Sequence, residues 1–406
     1  MRSPRVRARS RSGSPCEADG SPGHAAGSAA AGYAPPVNPL DELALLLRPA
    51  AGGLYVVSTG KEEQLAVQRK IYGGGSENDV AARWREALAR APSARAFLLG
   101  IPSDVGAGFL RGANMGPQAI RSRLVEEDPE FFARAAARGL IDVGDVFVVP
   151  QLLHDEMLSE AQKAATRAAI YPGLPEAERA RLPVSPLSMA ERAIEILLRL
   201  SPRAKLLVLG GDHSCAWPAV KALAAARPGL GIVQMDAHTD LLEERLGVRY
   251  CFGTWSYHAN ELLGRGGRLV QVGVRASRRD RGHWEARYDV RQLWAEEVRA
   301  DPARALEIVV ALVRQAGVRE VYFSNDIDGT DAGAARATGT PEPGGLDADF
   351  VVELIRRLGR EVGLAGGDVM EVAPPLAHGD GEPTRTLALA ARYLRETAAE
   401  AMGGAI

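Results

Sequence analysis

Cysteine is almost absent. The chain has three in 406 residues, Cys16, Cys215 and Cys251, with no framework spacing. That excludes a disulfide scaffold and favours a reducing compartment, so a cytoplasmic location is the expectation. An excess of charge of one sign is missing too. The formal net charge is −2, which leaves no electrostatic case for nucleic acid or a membrane surface. No apolar run reaches the roughly 18 residues that a membrane-spanning helix needs. There are no internal repeats, and Gly73-Gly74-Gly75 is not followed by the Gly-Lys-Ser/Thr of a phosphate loop, so it reads as a plain loop. What remains is ordinary: 46% hydrophobic and 25% charged residues, the composition of a globular protein of one large domain or two.

Composition divides the chain in three. Met1 to Pro39 is rich in Ser, Gly, Ala, Pro and Arg, with almost nothing to bury, so residues 1–39 are expected to be a disordered tail. It lacks the apolar core of a secretory signal. Residues 40–95 read as a mostly helical extension. Asp41 and Glu42 suit a helix N-terminus, and a helix over Val80–Arg90 follows the turn-rich Tyr72–Asp79. Residues 96–406 form the third part. Strands are expected at 96–101, 140–146, 205–210, 231–236, 268–274, 319–325 and 366–372, and helices near 216–227, 255–264, 303–316, 347–361 and 384–402. Ser188 is expected to cap a helix that runs to Leu200. This alternation predicts an α/β fold, a three-layer α/β/α arrangement around a mostly parallel central sheet.

The chemistry gathers where strands should end. Leu206-Leu207-Val208-Leu209 leads into Gly210-Gly211-Asp212-His213-Ser214. Ile232-Val233 leads into Asp236-Ala237-His238-Thr239-Asp240, and Val321-Tyr322-Phe323 leads into Ser324-Asn325-Asp326-Ile327-Asp328. Open α/β sheets place their ligands at such strand ends. In extended backbone, alternate residues face the same way. That predicts Asp236, His238 and Asp240 on one side, and Asp326 with Asp328. With His213 they make four carboxylates and two imidazoles. One zinc takes four ligands, so the set suits two oxygen-preferring divalent ions such as Mn²⁺, with Ni²⁺ or Co²⁺ as alternatives. Two metals that share one water can lower its pKa towards neutrality and let it attack an sp² carbon.

These blocks, with Thr338-Gly339-Thr340-Pro341-Glu342-Pro343-Gly344-Gly345-Leu346 and the stretch Arg111 to Arg121, resemble the ureohydrolases: arginase, agmatinase, guanidino-acid hydrolases and formimidoylglutamase. The likeness runs from about Leu98 to the C-terminus. It implies an arginase-like fold and a hydrolase of linear amidine C–N bonds, acting on a small guanidino or formimidoyl compound. It also implies a homo-oligomer, a trimer or hexamer. Under the resemblance, Glu342 would bind the guanidinium or amidine nitrogens. Asp240 would hold the nucleophile's hydrogen and later protonate the leaving amine.

The departures are as informative. Many relatives of this kind place a histidine where this chain has Phe252, twelve residues after Asp240. Phe252 cannot move a proton, and His258 is the candidate replacement. Formimidoylglutamases also tolerate a non-histidine there. Phe252, Trp255 and Tyr257 are expected to form an aromatic substrate wall. No counterpart is found for the asparagine-rich segment of arginase that receives an α-amino acid, which disfavours true arginase. A metal-binding but catalytically silent paralogue is the alternative from a different class.

Overall fold

The computed structural model describes residues 38–54 and 58–405. Up to Val37, the expected tail therefore lies outside the described residues. Asn38 already caps a helix that Pro39 begins. The Asn38 side chain accepts from the Leu40 amide, and Pro39 opens the helix Pro39–Leu46, a position where its missing N–H costs nothing.

Among the described residues, nine strands make one sheet. They are β1 (Leu47–Arg48), β2 (Ala96–Ile101), β3 (Leu140–Val146), β4 (Lys205–Gly210), β5 (Leu230–Met235), β6 (Leu269–Val272), β7 (Arg291–Leu293), β8 (Glu320–Asn325) and β9 (Leu364–Val369). Their order is β1-β3-β2-β4-β9-β8-β5-β6-β7. All neighbours are parallel except β1, which pairs antiparallel with β3. The three-layer fold follows from burial on both faces. Along β4, Leu206 and Val208 pack on one side with Ile194, Leu197 and Val220. Leu207 and Leu209 pack on the other with Ile355, Leu394 and Phe323. A strand covered on both faces must be apolar at every position, which is why the chain shows runs there rather than alternation.

Local chemistry moves some boundaries. The helix expected from Ser188 begins at Pro186 with Ser185 before it, because proline suits the first turn. The Ser188 hydroxyl instead accepts from the Asp155 amide. The helix expected at Val80 begins at Glu77, closed by a reciprocal Ser76–Asp79 capping box. Strand β7 and the helices Arg281–Tyr288 and Ala295–Ala300 were not anticipated. The first is three residues long, and all are too short to carry a period.

The extension between residues 38 and 95 contributes β1 as an edge strand beside β3. Trp84 Nε1 donates to the Val143 carbonyl at 2.9 Å, and the Tyr72 hydroxyl to that of Asp142 at 3.2 Å. Beneath them, fully buried Arg121 donates to Asp142 at 2.8 Å and to Asp145 at 2.5 Å. Buried guanidinium and carboxylates therefore satisfy one another on β3, which they tie to the helix Gly116–Glu127.

Candidate metal centre

The predicted strand-end residues converge, although not by strand geometry. Strand β5 stops at Met235, so Asp236, His238 and Asp240 lie in the loop beyond it. Asp240 has φ +51°, a left-handed conformation that turns its side chain back. Asp326 caps the short helical turn Ile327–Gly329, which carries Asp328. Same-side alternation is thus the wrong reason for a convergence that the folded loops nonetheless produce. Gly211 makes room for it: a Cβ there would lie 1.9 Å from the Ser103 carbonyl oxygen.

Two groups share one residue. His213 Nδ1 lies 3.2 Å from Asp236 Oδ2, 3.3 Å from Asp240 Oδ2 and 3.0 Å from Asp326 Oδ2. His238 Nδ1 lies 3.5 Å from Asp236 Oδ1 and 3.2 Å from Asp328 Oδ2. Asp236 therefore offers one oxygen to each side. All but His238 are buried, and the groups His213–Asp236–Asp240 and Asp236–His238–Asp328 each have the closeness that one ion requires.

The surroundings fix the imidazole and the carboxylates. His213 Nε2 lies 3.0 Å from Ser324 Oγ, which donates on to Asp368 at 3.0 Å. That arrangement places the proton on Nε2 and leaves the Nδ1 lone pair facing the carboxylates. His213 Nδ1 is buried and has no hydrogen-bond partner among the described residues. An orphaned nitrogen facing three carboxylate oxygens fits a cation between them. Thr340 Oγ1 donates to Asp328 at 2.8 Å, and Gln234 Nε2 to Asp236 at 2.7 Å. Gln234 in turn accepts from Gln271, and Gln271 from Gln292, a buried amide ladder across β5, β6 and β7.

Charge tells the same story. Burial, with the neighbouring Asp236 next, pushes Asp240 up to about 6. Burial and then Asp328 and Asp236 hold Asp326 well above the usual carboxylate range. Burial also opposes ionisation of Asp236, but the facing imidazoles of His213 and His238 outweigh it and hold that carboxyl low. So dense an acidic group is comfortable fully ionised only beside cations.

Other expected site residues fall elsewhere. Trp255 is fully buried, so it is not part of a substrate wall. Its Nε1 donates to Asp240 Oδ2 at 3.1 Å, and its ring lies 4.6 Å from that of His213. Tyr257 packs edge-on against His258 and Tyr288. His258 Nε2 lies 2.9 Å from the Arg249 carbonyl oxygen, with its ring against Trp217 and Tyr250. Burial lowers its pKa, and no contact joins it to the Asp/His group among the described residues. Phe252 sits under the Arg245 guanidinium, 4.7 Å from ring centroid to Cζ. Glu342 is half-exposed at the rim, its Oε1 3.9 Å from His238 Nε2.

Three residues escaped the sequence reading. Glu371 is buried with φ +61°, and its carboxylate accepts from the His213 amide at 2.9 Å. Burial, then Asp326 and Asp212, push it well above the ordinary range. It stands two residues beyond β9, as Asp236 and Asp326 stand just beyond β5 and β8. Asp368 anchors Ser324 from within β9. Arg275 donates to the carbonyls of Asp328 at 2.7 Å, Glu342 at 2.8 Å and Pro343 at 3.1 Å. It thereby ties the Glu342 loop to the metal-centre loop.

Comparison with known proteins agrees with this arrangement. The family model described as "Arginase family" matches residues 94–399. The chain is 31% identical to guanidinobutyrase of Pseudomonas aeruginosa over 69% of this chain and 79% of that one. It is 30% identical to the mitochondrial agmatinase of Gallus gallus over 69% and 74%. Among solved structures, proclavaminate amidino hydrolase from Streptomyces clavuligerus superposes with a TM-score of 0.55 at 30% identity, covering 76% of this chain and 92% of that one. With its Asp/His loops at the ends of a parallel sheet, the chain belongs to the arginase family.

Proposed function

We propose that the protein hydrolyses the linear C–N bond of a small guanidino compound, with water added and urea and an amine released. The observation that carries this is the pair of ligand groups sharing Asp236, with His213 Nδ1 buried and unpartnered between carboxylates. His213, Asp236, Asp240 and Asp326 would hold one divalent ion, and Asp236, His238 and Asp328 the other. We take Mn²⁺ as the native metal, with Ni²⁺ or Co²⁺ as alternatives. When bound, such a pair supplies activated water near neutral pH.

The chain's own groups do the rest. Asp240, held by the Trp255 indole, is the assigned proton carrier from water to the leaving amine. Glu342 at the rim and buried Glu371, beside the His213 amide, offer carboxylates to the cationic guanidinium. Glu342 is kept in place by the Arg275 clamp. Glu371 occupies a backbone conformation unusual for a residue with a side chain, the kind of strain that persists where it serves a site. A cytoplasmic, homo-oligomeric enzyme, trimer or hexamer, completes the reading.

Phe252 in place of a histidine favours one second reading, a formimidoyl substrate, from which the same C–N cleavage would release formamide instead of urea. A panel assay on metal-loaded protein separates the two. Urea from guanidino compounds supports the first, and formamide from a formimidoyl compound alone supports the second. Neither product, with two metals bound per chain, would leave a silent paralogue. Glu342→Gln and Glu371→Gln then show which carboxylate receives the guanidinium, as the larger rise in KM.

A further inference from the structure

A cavity of about 530 Å³ opens beside the metal centre, lined by the loops around residues 105–109, 151–158 and 245–251. Its walls include Val105, Leu152, Leu153, Leu158 and Val248. Its size and apolar lining suit a small ligand. One wall touches the two neighbours of His213: a Cβ on Gly106 would lie 2.6 Å from Ser214 Oγ and 2.8 Å from Asp212 Oδ1. Another ends at Cys251, next to Phe252, whose amide donates to the Gly106 carbonyl at 3.1 Å.

Two further features point to an occupant. Phe109 is 89% exposed, Leu246 96% and Met157 46%, and all three line this one cavity. Large apolar side chains gathered round a concave mouth mark a binding surface. Among the described residues of the lining, Arg245 alone has a basic or carboxylic-acid side chain. It rests on the Phe252 ring, and its guanidinium has neither hydrogen-bond nor carboxylate partner among the described residues. Stacking leaves the edge of a guanidinium free to take a carboxylate with two parallel hydrogen bonds.

We infer that this cavity is the tail subsite, and that it selects a guanidino carboxylic acid with an apolar spacer over a guanidino amine. The inference rests on the hydrolase reading above and sharpens it. The spacer lies along Val105, Leu153 and Val248. The tail carboxylate meets Arg245, while a tail ammonium would meet like charge at the same point. Phe252 then has a role in this chain that a histidine would fill poorly: it is the platform under Arg245.

A matched pair tests this on the metal-loaded full chain. Agmatine and 5-guanidinopentanoate share a four-carbon spacer and differ in the sign of the tail. The expected result is a kcat/KM about tenfold higher for the acid, a size consistent with one partly exposed ion pair formed and one repulsion avoided. Arg245→Glu should raise KM for the acid, lower it for agmatine, and leave kcat within about threefold. Equal use of both substrates, or no change of their ratio in Arg245→Glu, overturns the subsite while leaving the hydrolase intact. If no guanidino compound is cleaved, the hydrolase reading fails instead, and calorimetry with hexanoate and hexylamine judges the subsite. Hexanoate binding that Arg245→Glu abolishes supports it. Hexanoate that binds both proteins alike, or neither, overturns it.

Discussion

Two clusters of buried charge lie along the same sheet, and they are resolved in opposite ways. On β3, Asp142 and Asp145 close around Arg121, with all three side chains almost inaccessible. Every strong acceptor there has a donor from the chain itself. Beyond β5 and β8, four aspartates meet two imidazoles, and among the described residues no guanidinium or ammonium pairs with their carboxylates. His213 Nδ1 is left without a hydrogen-bond partner among the described residues. A cluster that balances itself is architecture. One that leaves negative charge unbalanced and a lone pair exposed to it awaits a ligand.

Breaking the balanced cluster should have the largest effect. Arg121→Met leaves two buried carboxylates facing each other without a cation. Removing one partner of such a group costs about 3–5 kcal/mol. Chemical denaturation should show that loss whether or not metal is bound. A loss below about 1 kcal/mol, within the range of an ordinary surface change, would show that the two clusters are not opposites.

Breaking the unbalanced cluster should do the reverse. Asp236→Asn removes the shared ligand and one source of repulsion. Metal affinity should fall at least about a hundredfold, the upper range for a mere outer-shell change, and urea release with it. The metal-free protein should nevertheless be no less stable than wild-type metal-free protein, within about 1 kcal/mol. Metal titration and denaturation on the same sample decide this. Full metal content in Asp236→Asn would remove the basis of the assignment.

That contrast also explains what could be read from the chain. The candidate Asp/His cluster was legible because Asp and His are conspicuous after apolar strands. Its geometry was not, since Asp240 reaches the group through a left-handed residue in a loop. Trp255 looked like part of a wall because proximity in sequence says nothing about facing. In the fold, its indole turns inward to Asp240, 15 residues earlier. Arg275 was invisible for a different reason. Its partners are the carbonyls of Asp328, Glu342 and Pro343, 53 to 68 residues away, and a backbone carbonyl leaves no mark in a sequence. The doubly covered sheet could be read from its apolar runs, but the two-residue β1 could not, since no period fits in so short a strand.

Trp255→Phe sharpens the comparison at lower amplitude. It keeps most of the buried ring and deletes one hydrogen bond to Asp240. Outer-shell changes of this kind cost about 10–100-fold in metal affinity or activity. The effect should sit at the low end, about tenfold, because the other Asp240 contacts persist. Unchanged kinetics with unchanged metal affinity would mean that the indole merely packs.

The smallest effect is expected where the sequence suggested a proton shuttle. His258 has its Nε2 committed to the Arg249 carbonyl, rings on several sides, and a pKa held down by burial. A group so placed is a neutral donor to backbone, not a carrier between the site and solvent. A positioned acid or base is worth about 10²–10⁴-fold. His258→Ala should instead change kcat by less than about threefold, with KM and metal content unchanged. Phe252→His completes the argument, because it restores an imidazole at the position that lacks one. If Phe252 serves as the platform for Arg245, the imidazole gains no proton to move, and turnover of agmatine rises by less than tenfold. A larger rise would make Phe252 a lost shuttle. A collapse in His258→Ala would make His258 its replacement. Either result would shift the proton path away from Asp240 acting alone.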